Sequence, residues 1–199
     1  MMRIFQCRIG RQDEKGLTPE LLPMKANSVR VKGKNFRDFC GKPLFRWVLD
    51  TLEDIEEIDL IQINTDARNI LEENNLFEEK KIKFRDRKED ICGDLVSMNT
   101  IINDDVDSID ADIYLMTHTT NPLLSKDSIK KAILKYKDVL KKGQFDSLFT
   151  VNKIQDRFYS KDAVALNHNP ANLVRTQDLE PWYQENSNLY LFTKDSFKK

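Results

Sequence analysis

Apolar residues along the chain follow two alternating patterns. Short apolar runs at 20–24 (ELLPM), 60–64 (LIQIN), 81–85 (KIKFR), 113–117 (IYLMT), 147–152 (SLFTVN) and 188–192 (NLYLF) predict β-strands. Most have few polar positions, as expected of strands covered on both faces. Between them, Leu44, Trp47, Val48, Leu52 and Ile55 recur at helical spacing behind Pro43, whose fixed φ suits a first helical turn. A second helix is expected from Ser125, a plausible N-cap, burying Ile129, Ala132, Ile133, Tyr136 and Leu140. A third is expected from about Gly93 to Ile102. Strands alternating with helices predict an α/β fold of three layers, α/β/α, with a mostly parallel sheet. Ligands of such sheets bind beyond the carboxyl ends of the strands, so the loops there are the place to look for chemistry.

Residues 153–187 break this rhythm. They are rich in Asn, Asp and Gln, carry Phe158, Tyr159, Trp182 and Tyr183, and show no helical period, which predicts an excursion from the sheet. A length of 199 residues suits one domain, and 40% hydrophobic with 33% charged residues excludes a disordered or low-complexity chain. Lys plus Arg number 32 against 33 Asp plus Glu, so the net charge of −1 draws in neither nucleic acid nor an anionic membrane, and any basic site must be local. No stretch has the length and apolarity of a signal peptide core or a spanning helix, and the expectation is a cytoplasmic protein. Cys7, Cys40 and Cys92 are far apart and read as buried or incidental thiols.

One local basic cluster does stand out. Lys25, Arg30, Lys32, Lys34, Arg37 and Lys42 follow the first strand, interleaved with Ala26, Asn27, Ser28 and Gly33, which permit close backbone approach. Cations and backbone N–H groups at a strand's carboxyl end suit a polyphosphate, the alternative being a solvated basic loop. Gly41-Lys42-Pro43 is not a Walker A sequence, because the distant glycine and the magnesium-binding hydroxyl are both lacking. Asp66 follows a strand and precedes Ile70 and Leu71, and is expected to cap a helix.

The stretch from this loop onward, LLPMKANSVRVKGKNFRDFCGKPLFRWVLDTL, resembles the opening of the acylneuraminate cytidylyltransferase family, the CMP-sialic acid synthetases. INTDAR (63–68), RDRKEDICGDLVS (85–97), THTTNPLL (117–124), SLFTVNK (147–153) and ENSNLYLF (185–192) continue the likeness in family order. The resemblance implies a Rossmann-like nucleotidyltransferase domain over residues 20–199, preceded by an extension at 1–19, with 153–187 as a dimerisation or substrate excursion. It implies transfer of CMP from CTP to the anomeric hydroxyl of a sialic-acid-like 2-keto-3-deoxy acid sugar, with release of pyrophosphate. By similarity CTP is held by Lys25, Ala26, Asn27, Ser28, Arg30, Lys34, Asn35, Arg87 and Ser97, with Lys25 and Lys34 also serving catalysis on the phosphate oxygens and Asn35 facing the nucleoside. Asp94 matches the family's Asp three residues before that serine. For Arg87 alone, a surface role in a charged run is the alternative. His118, where relatives commonly carry Gln, is placed with Thr120 and Asn121 on the acid sugar, against the alternative of a structural histidine. A homodimer is implied.

Three departures from the family change the picture. Lys25 stands where many relatives carry Arg, replacing a bidentate fork by a point charge. Residues 1–19 have little counterpart. The sequence stops soon after ENSNLYLF, whereas relatives continue to an Asp-x-Asp pair that holds Mg²⁺, so no residue here is assigned to the metal and the expectation is a truncated domain of uncertain turnover. The rival expectations are a catalytically weak CTP-binding protein that lacks the metal site, and a nucleotidyltransferase of the same architecture that uses another nucleotide or sugar.

Overall fold

The computed structural model describes residues 16–199. Residues 1–15, including Cys7 and most of the 1–19 extension, lie outside the described part. In chain order the elements are β1 (Pro19–Leu21), the β2–β3 hairpin (Asp38–Phe39 and Lys42–Pro43), α1 (Leu44–Glu53), β4 (Leu60–Thr65), α2 (Arg68–Glu73), β5 (Ile82–Asp86), α3 (Met98–Ser108), β6 (Tyr114–Met116), α4 (Lys126–Lys141), β7 (Ser147–Ile154), β8 (Trp182–Phe192) and α5 (Lys194–Phe197). Among the described residues the main sheet has six strands in the order β5-β4-β1-β6-β8-β7. β1 pairs in parallel with both β4 (Leu21 opposite Gln62) and β6 (Glu20 opposite Leu115), and β4 is parallel to β5 (Ile63 opposite Phe84). β6 and β8 are antiparallel, with Met116 opposite Tyr190.

Both faces of the central strands β1, β4 and β6 are buried. On one, Leu22, Met24, Ile61, Ile63 and Leu115 pack with Phe45, Val48, Leu49 and Leu52 of α1 and Ile129, Ile133 and Tyr136 of α4. On the other, Leu21, Tyr114, Met116 and Phe192 meet Ile102 and Val106 of α3. The alternation of Leu21 and Leu22 between the two clusters is the period of two that a strand dictates. The Rossmann-like α/β/α expectation is therefore met.

Element boundaries differ from the sequence expectation in instructive ways. β1 is short because Pro23 has no N–H to give, although Leu22 and Met24 still donate to Gln62 and Asn64 carbonyls at 2.9 Å each. In α1 the inner face is Phe45, Val48, Leu49 and Leu52, while Trp47 is half-buried and donates its indole N–H to the Phe39 carbonyl at 2.8 Å. α3 begins at Met98, not Gly93: Gly93 sits at φ +114°, where no helix can start, and Ser97 caps the helix by accepting the Asn99 N–H. α4 starts where Ser125 predicts, its hydroxyl accepting the Ser128 N–H. The carbonyl end of α1 is closed from outside: the Lys81 ammonium donates to Leu52, Glu53 and Ile55 carbonyls at 3.0, 2.8 and 2.6 Å. Cys40 and Cys92 carry free thiols. No helix among the described residues is long and apolar enough to cross a membrane.

The chain divides into two compact units, one comprising the residues up to Leu148 together with Asn188–Lys199, the other Phe149–Ser187. Within the second, Phe158 and Trp182 stack at 4.9 Å and 2°, and the Tyr159 hydroxyl meets His168 Nε2 at 2.9 Å. Gln155 donates to the Gln177 and Leu179 carbonyls. Two of the four aromatics named in 153–187 are thus engaged on each other, while Tyr183 is 63% exposed.

Candidate functional site

The carboxyl ends of β1, β4, β5 and β6 deliver the predicted residues to one end of the first unit. Past Met24 the chain leaves the sheet and makes a loop with a 3-10 turn at Lys34–Phe36, preceded by Gly33 at φ +61°, which a residue without Cβ adopts at little cost. Three side chains hold this loop. Asp66 accepts the Ala26 N–H at 2.7 Å. Asn35, only 3% exposed, donates to the Lys25 carbonyl at 2.9 Å and accepts from the Thr119 hydroxyl at 2.8 Å. Asp94 pairs with the Lys25 ammonium.

These contacts correct one expectation and show what two other predicted residues hold. Asp66 does not cap α2, whose N-cap residue is Ala67; it anchors the basic loop, and the Thr65 hydroxyl takes the Ala67 N–H instead, at 3.0 Å. Asn35 has its buried amide bonded to the Lys25 carbonyl and the Thr119 hydroxyl, joining the loop to the turn after β6. The Ala26 N–H is bonded to the Asp66 carboxylate, which shapes the start of the loop.

Lys34 is half-buried, and its ammonium is pushed below its ordinary pKa by burial and by the repulsion of Arg30 and Lys25. His118 is pushed below the usual imidazole value, by burial first and then by Lys34. The structure therefore gathers Lys25, Arg30, Lys34 and His118 into one electrostatic neighbourhood, with Asn27 and Ser28 in the same loop. Both effects favour the neutral imidazole of His118. Beside it, Thr120, Asn121, Ser125, Ser128 and Asn188 line an open depression of about 360 Å³, with Asn121 donating to the Thr117 hydroxyl at 3.4 Å.

Arg87 and Ser97 stand at the two ends of the β5–α3 loop. Arg87 is not a surface charge. It is 9% exposed, with Nε donating to Asn64 Oδ1 and Nη2 to the Asn64 carbonyl, both at 2.9 Å. It lines a second open depression of about 460 Å³ with Thr65, Asp66, Arg68, Asn69, Glu72 and Asp86. Ser97 is exposed, and its hydroxyl oxygen is already engaged as the cap of α3. The described residues contain no group of three or more His, Cys, Asp or Glu that could hold a metal ion, and the acids nearest the loop, Asp66 and Asp94, are taken by Ala26 and Lys25.

Sequence reasoning missed Asn64, Asp105 and Thr119. A signal for the first existed: Gln62 and Asn64 alternate inside the strand LIQIN, so two amides share one face of a buried strand and require a polar partner there.

Residues 20–199 match the family profile described as cytidylyltransferase. A pseudaminic acid cytidylyltransferase of Campylobacter jejuni (subsp. jejuni, serotype O:2) is 24% identical over 184 residues, covering 89% of this chain and 78% of that protein. Among solved structures, a CMP:2-keto-3-deoxy-manno-octonic acid synthetase complexed with CTP superposes with a TM-score of 0.65 at 15% identity, over 92% of this chain and 76% of its own. A 4-diphosphocytidyl-2C-methyl-D-erythritol synthase from Anaerococcus prevotii gives 0.63 at 15% identity, over 92% and 72%.

Proposed function

Because the chain belongs to the cytidylyltransferase family and is a nucleotidyltransferase, we propose that it transfers CMP from CTP to the anomeric hydroxyl of a sialic-acid-like acid sugar. The observation that carries the triphosphate site is the crowding of Lys34 by Arg30 and Lys25 in a half-buried loop. Cations held together at a cost in protonation gain most from a polyanion, and phosphoryl-type transfer depends on positioning and charge neutralisation more than on covalent help. In this reading Lys25 and Lys34 bind phosphate oxygens, with Asn27, Ser28 and Arg30 around them. Lys25 exchanges its partner Asp94 for phosphate.

The anomeric oxygen attacks the α-phosphorus, and the bond to the bridging oxygen breaks. Pyrophosphate leaves with the electron pair. The hydroxyl proton passes to a base, and the lowered pKa of His118 and its nearness to Lys34 support His118 in that role. Thr120 and Asn121 border the depression that would receive the acid sugar. Arg87 and Ser97 are assigned to the cytosine edge, with Asn35 acting through the loop. Magnesium belongs to the proposal as the ion that accompanies CTP, since Mg²⁺ is commonly held by substrate phosphates with one or two carboxylates. The described residues do not form a metal cage of their own.

Pyrophosphate release tests this, with CTP or UTP offered in Mg²⁺ alongside sialic, pseudaminic and 2-keto-3-deoxy-manno-octonic acids in turn. Release with CTP and one nine-carbon acid is expected, the C. jejuni relative favouring pseudaminic acid. CTP binding without release from any acid sugar would refute the reading in favour of a nucleotide-binding protein. Equal use of UTP would refute the cytosine assignment.

A further inference from the structure

Gln62 and Asn64 project from β4 toward α3, where Asp105 is wholly buried. One Asp105 oxygen, Oδ1, accepts from Gln62 Nε2 at 2.7 Å and from Asn64 Nδ2 at 2.8 Å. This fixes which way the Asn64 amide points. With its nitrogen committed to a carboxylate, Asn64 must turn its oxygen outward, and that oxygen accepts Nε of Arg87. The reversed amide would set an N–H₂ against the guanidinium, donor against donor.

We propose that Asp105 is a positioning residue for nucleotide recognition: by orienting the Asn64 amide, it aims the Arg87 guanidinium at the base. The proposal rests on the reading that Arg87 meets cytosine. Nε and one N–H of Nη2 are used by Asn64, which leaves the other N–H groups of the guanidinium to meet a ligand. Docking of α3 does not rest on Asp105 alone, although Asp105 also lies 3.9 Å from the Arg85 guanidinium. Its neighbour Asp104 already ties the helix to the β5 region, through Arg85 at 2.5 and 2.9 Å and Lys88 at 2.6 Å. A second buried acid, with its Oδ2 lacking a partner, is an expensive way to hold a helix that is already held. It is the right group for forcing one amide orientation.

The test compares Asp105→Leu, Asp105→Asn and Arg87→Met by equilibrium titration with CTP and with UTP, beside thermal melts. Leucine removes the acceptor. CTP binding should weaken roughly tenfold, as for one lost hydrogen bond to a charged group, and the CTP-to-UTP ratio should narrow. Asparagine keeps an acceptor oxygen for Asn64 and should retain the ratio. A purely structural Asp105 would lower the melting temperature in the leucine variant and leave the ratio alone, which overturns the proposal, as does equal narrowing in both Asp105 variants. If Arg87→Met leaves the ratio intact, the base assignment itself fails. If Arg87→Met narrows it and Asp105→Leu does not, only the relay fails. Should the leucine variant not fold, Asp105→Ser, too short to reach Asn64, makes the same comparison.

Discussion

The same buried acid makes stability depend on pH, in a direction opposite to the usual carboxylate. Burial raises the Asp105 carboxyl from 3.8 to about 6, outweighing the hydrogen bonds from Asn64 and Gln62 that favour its charged form. Between those two values the native state holds a proton that the unfolded chain has lost, so stability falls as pH rises through this window and is flat above it. At about 1.4 kcal/mol per tenfold change in proton affinity, the cost at neutral pH is roughly 3 kcal/mol. For a chain of this size that corresponds to roughly 6 to 12 °C in melting temperature. Asp104 does not interfere, because Arg85 first, and then Lys88, hold it down at about 2, so it titrates below the window. Asp105→Asn cannot ionise and keeps the acceptor oxygen, so the share of the loss between pH 4 and pH 7 that Asp105 causes, roughly 3 kcal/mol, should vanish. Urea denaturation of both proteins at half-unit steps from pH 4 to pH 7.5 measures this. Parallel curves for the two proteins would show that Asp105 does not titrate in that range and would refute the reasoning.

Four further outcomes are expected. Lys34→Ala should weaken CTP and UTP binding alike by about 1.5 to 3 kcal/mol, the scale of a charge-assisted hydrogen bond, with folding little changed; calorimetric titration checks it. Lys81→Met should destabilise the fold by about 1.5 to 3 kcal/mol in urea, because three carbonyls at the end of α1 lose a cationic donor. Glu20 is wholly buried in β1, and its carboxyl is pushed well above 4.5 by burial, so it too lowers stability as pH rises; adding Glu20→Gln to Asp105→Asn should flatten the remaining slope. The Phe149–Ser187 unit should pair with a second copy through exposed aromatics such as Tyr183, and a concentration-independent monomer in sedimentation equilibrium would exclude this.

Much of the scaffold was legible because its signals are local. Six apolar runs became six strands of the main sheet, and the Ser125 cap and the apolar face of α4 needed no tertiary information. The start of α3 was misplaced because Ile101 and Ile102 suggest a helical face, while the true start is set by Gly93 and the Ser97 cap. The site was harder to read. A basic loop announces itself by composition, but what a polar side chain spends its hydrogen bonds on does not. Asp66 beside an apolar helix period has every local mark of a cap, and only the parallel placement of β1 beside β4 brings the Ala26 N–H within its reach. Arg87 looks solvated in RDRKED, yet Asn64, 23 positions earlier in sequence, buries it.

Such long-range contacts also explain how a loop of like charges can be ordered before any nucleotide arrives. Lys25, Arg30 and Lys34 repel one another, and an unanchored loop would relax by spreading. Three tethers oppose that: Asp66 on the Ala26 N–H, Asn35 between the Lys25 carbonyl and Thr119, and Asp94 on the Lys25 ammonium. Two of them act on backbone groups or through neutral hydrogen bonds and survive the arrival of phosphate. The third is an ion pair that phosphate would displace. If the loop binds a triphosphate as proposed, contacts that the ligand need not break hold it in place, and the ordering cost is met during folding instead of binding. In the proposed reading the one contact to be exchanged is Lys25 from the Asp94 carboxylate to phosphate, a trade of one anion for another that leaves the Lys25 charge partnered throughout.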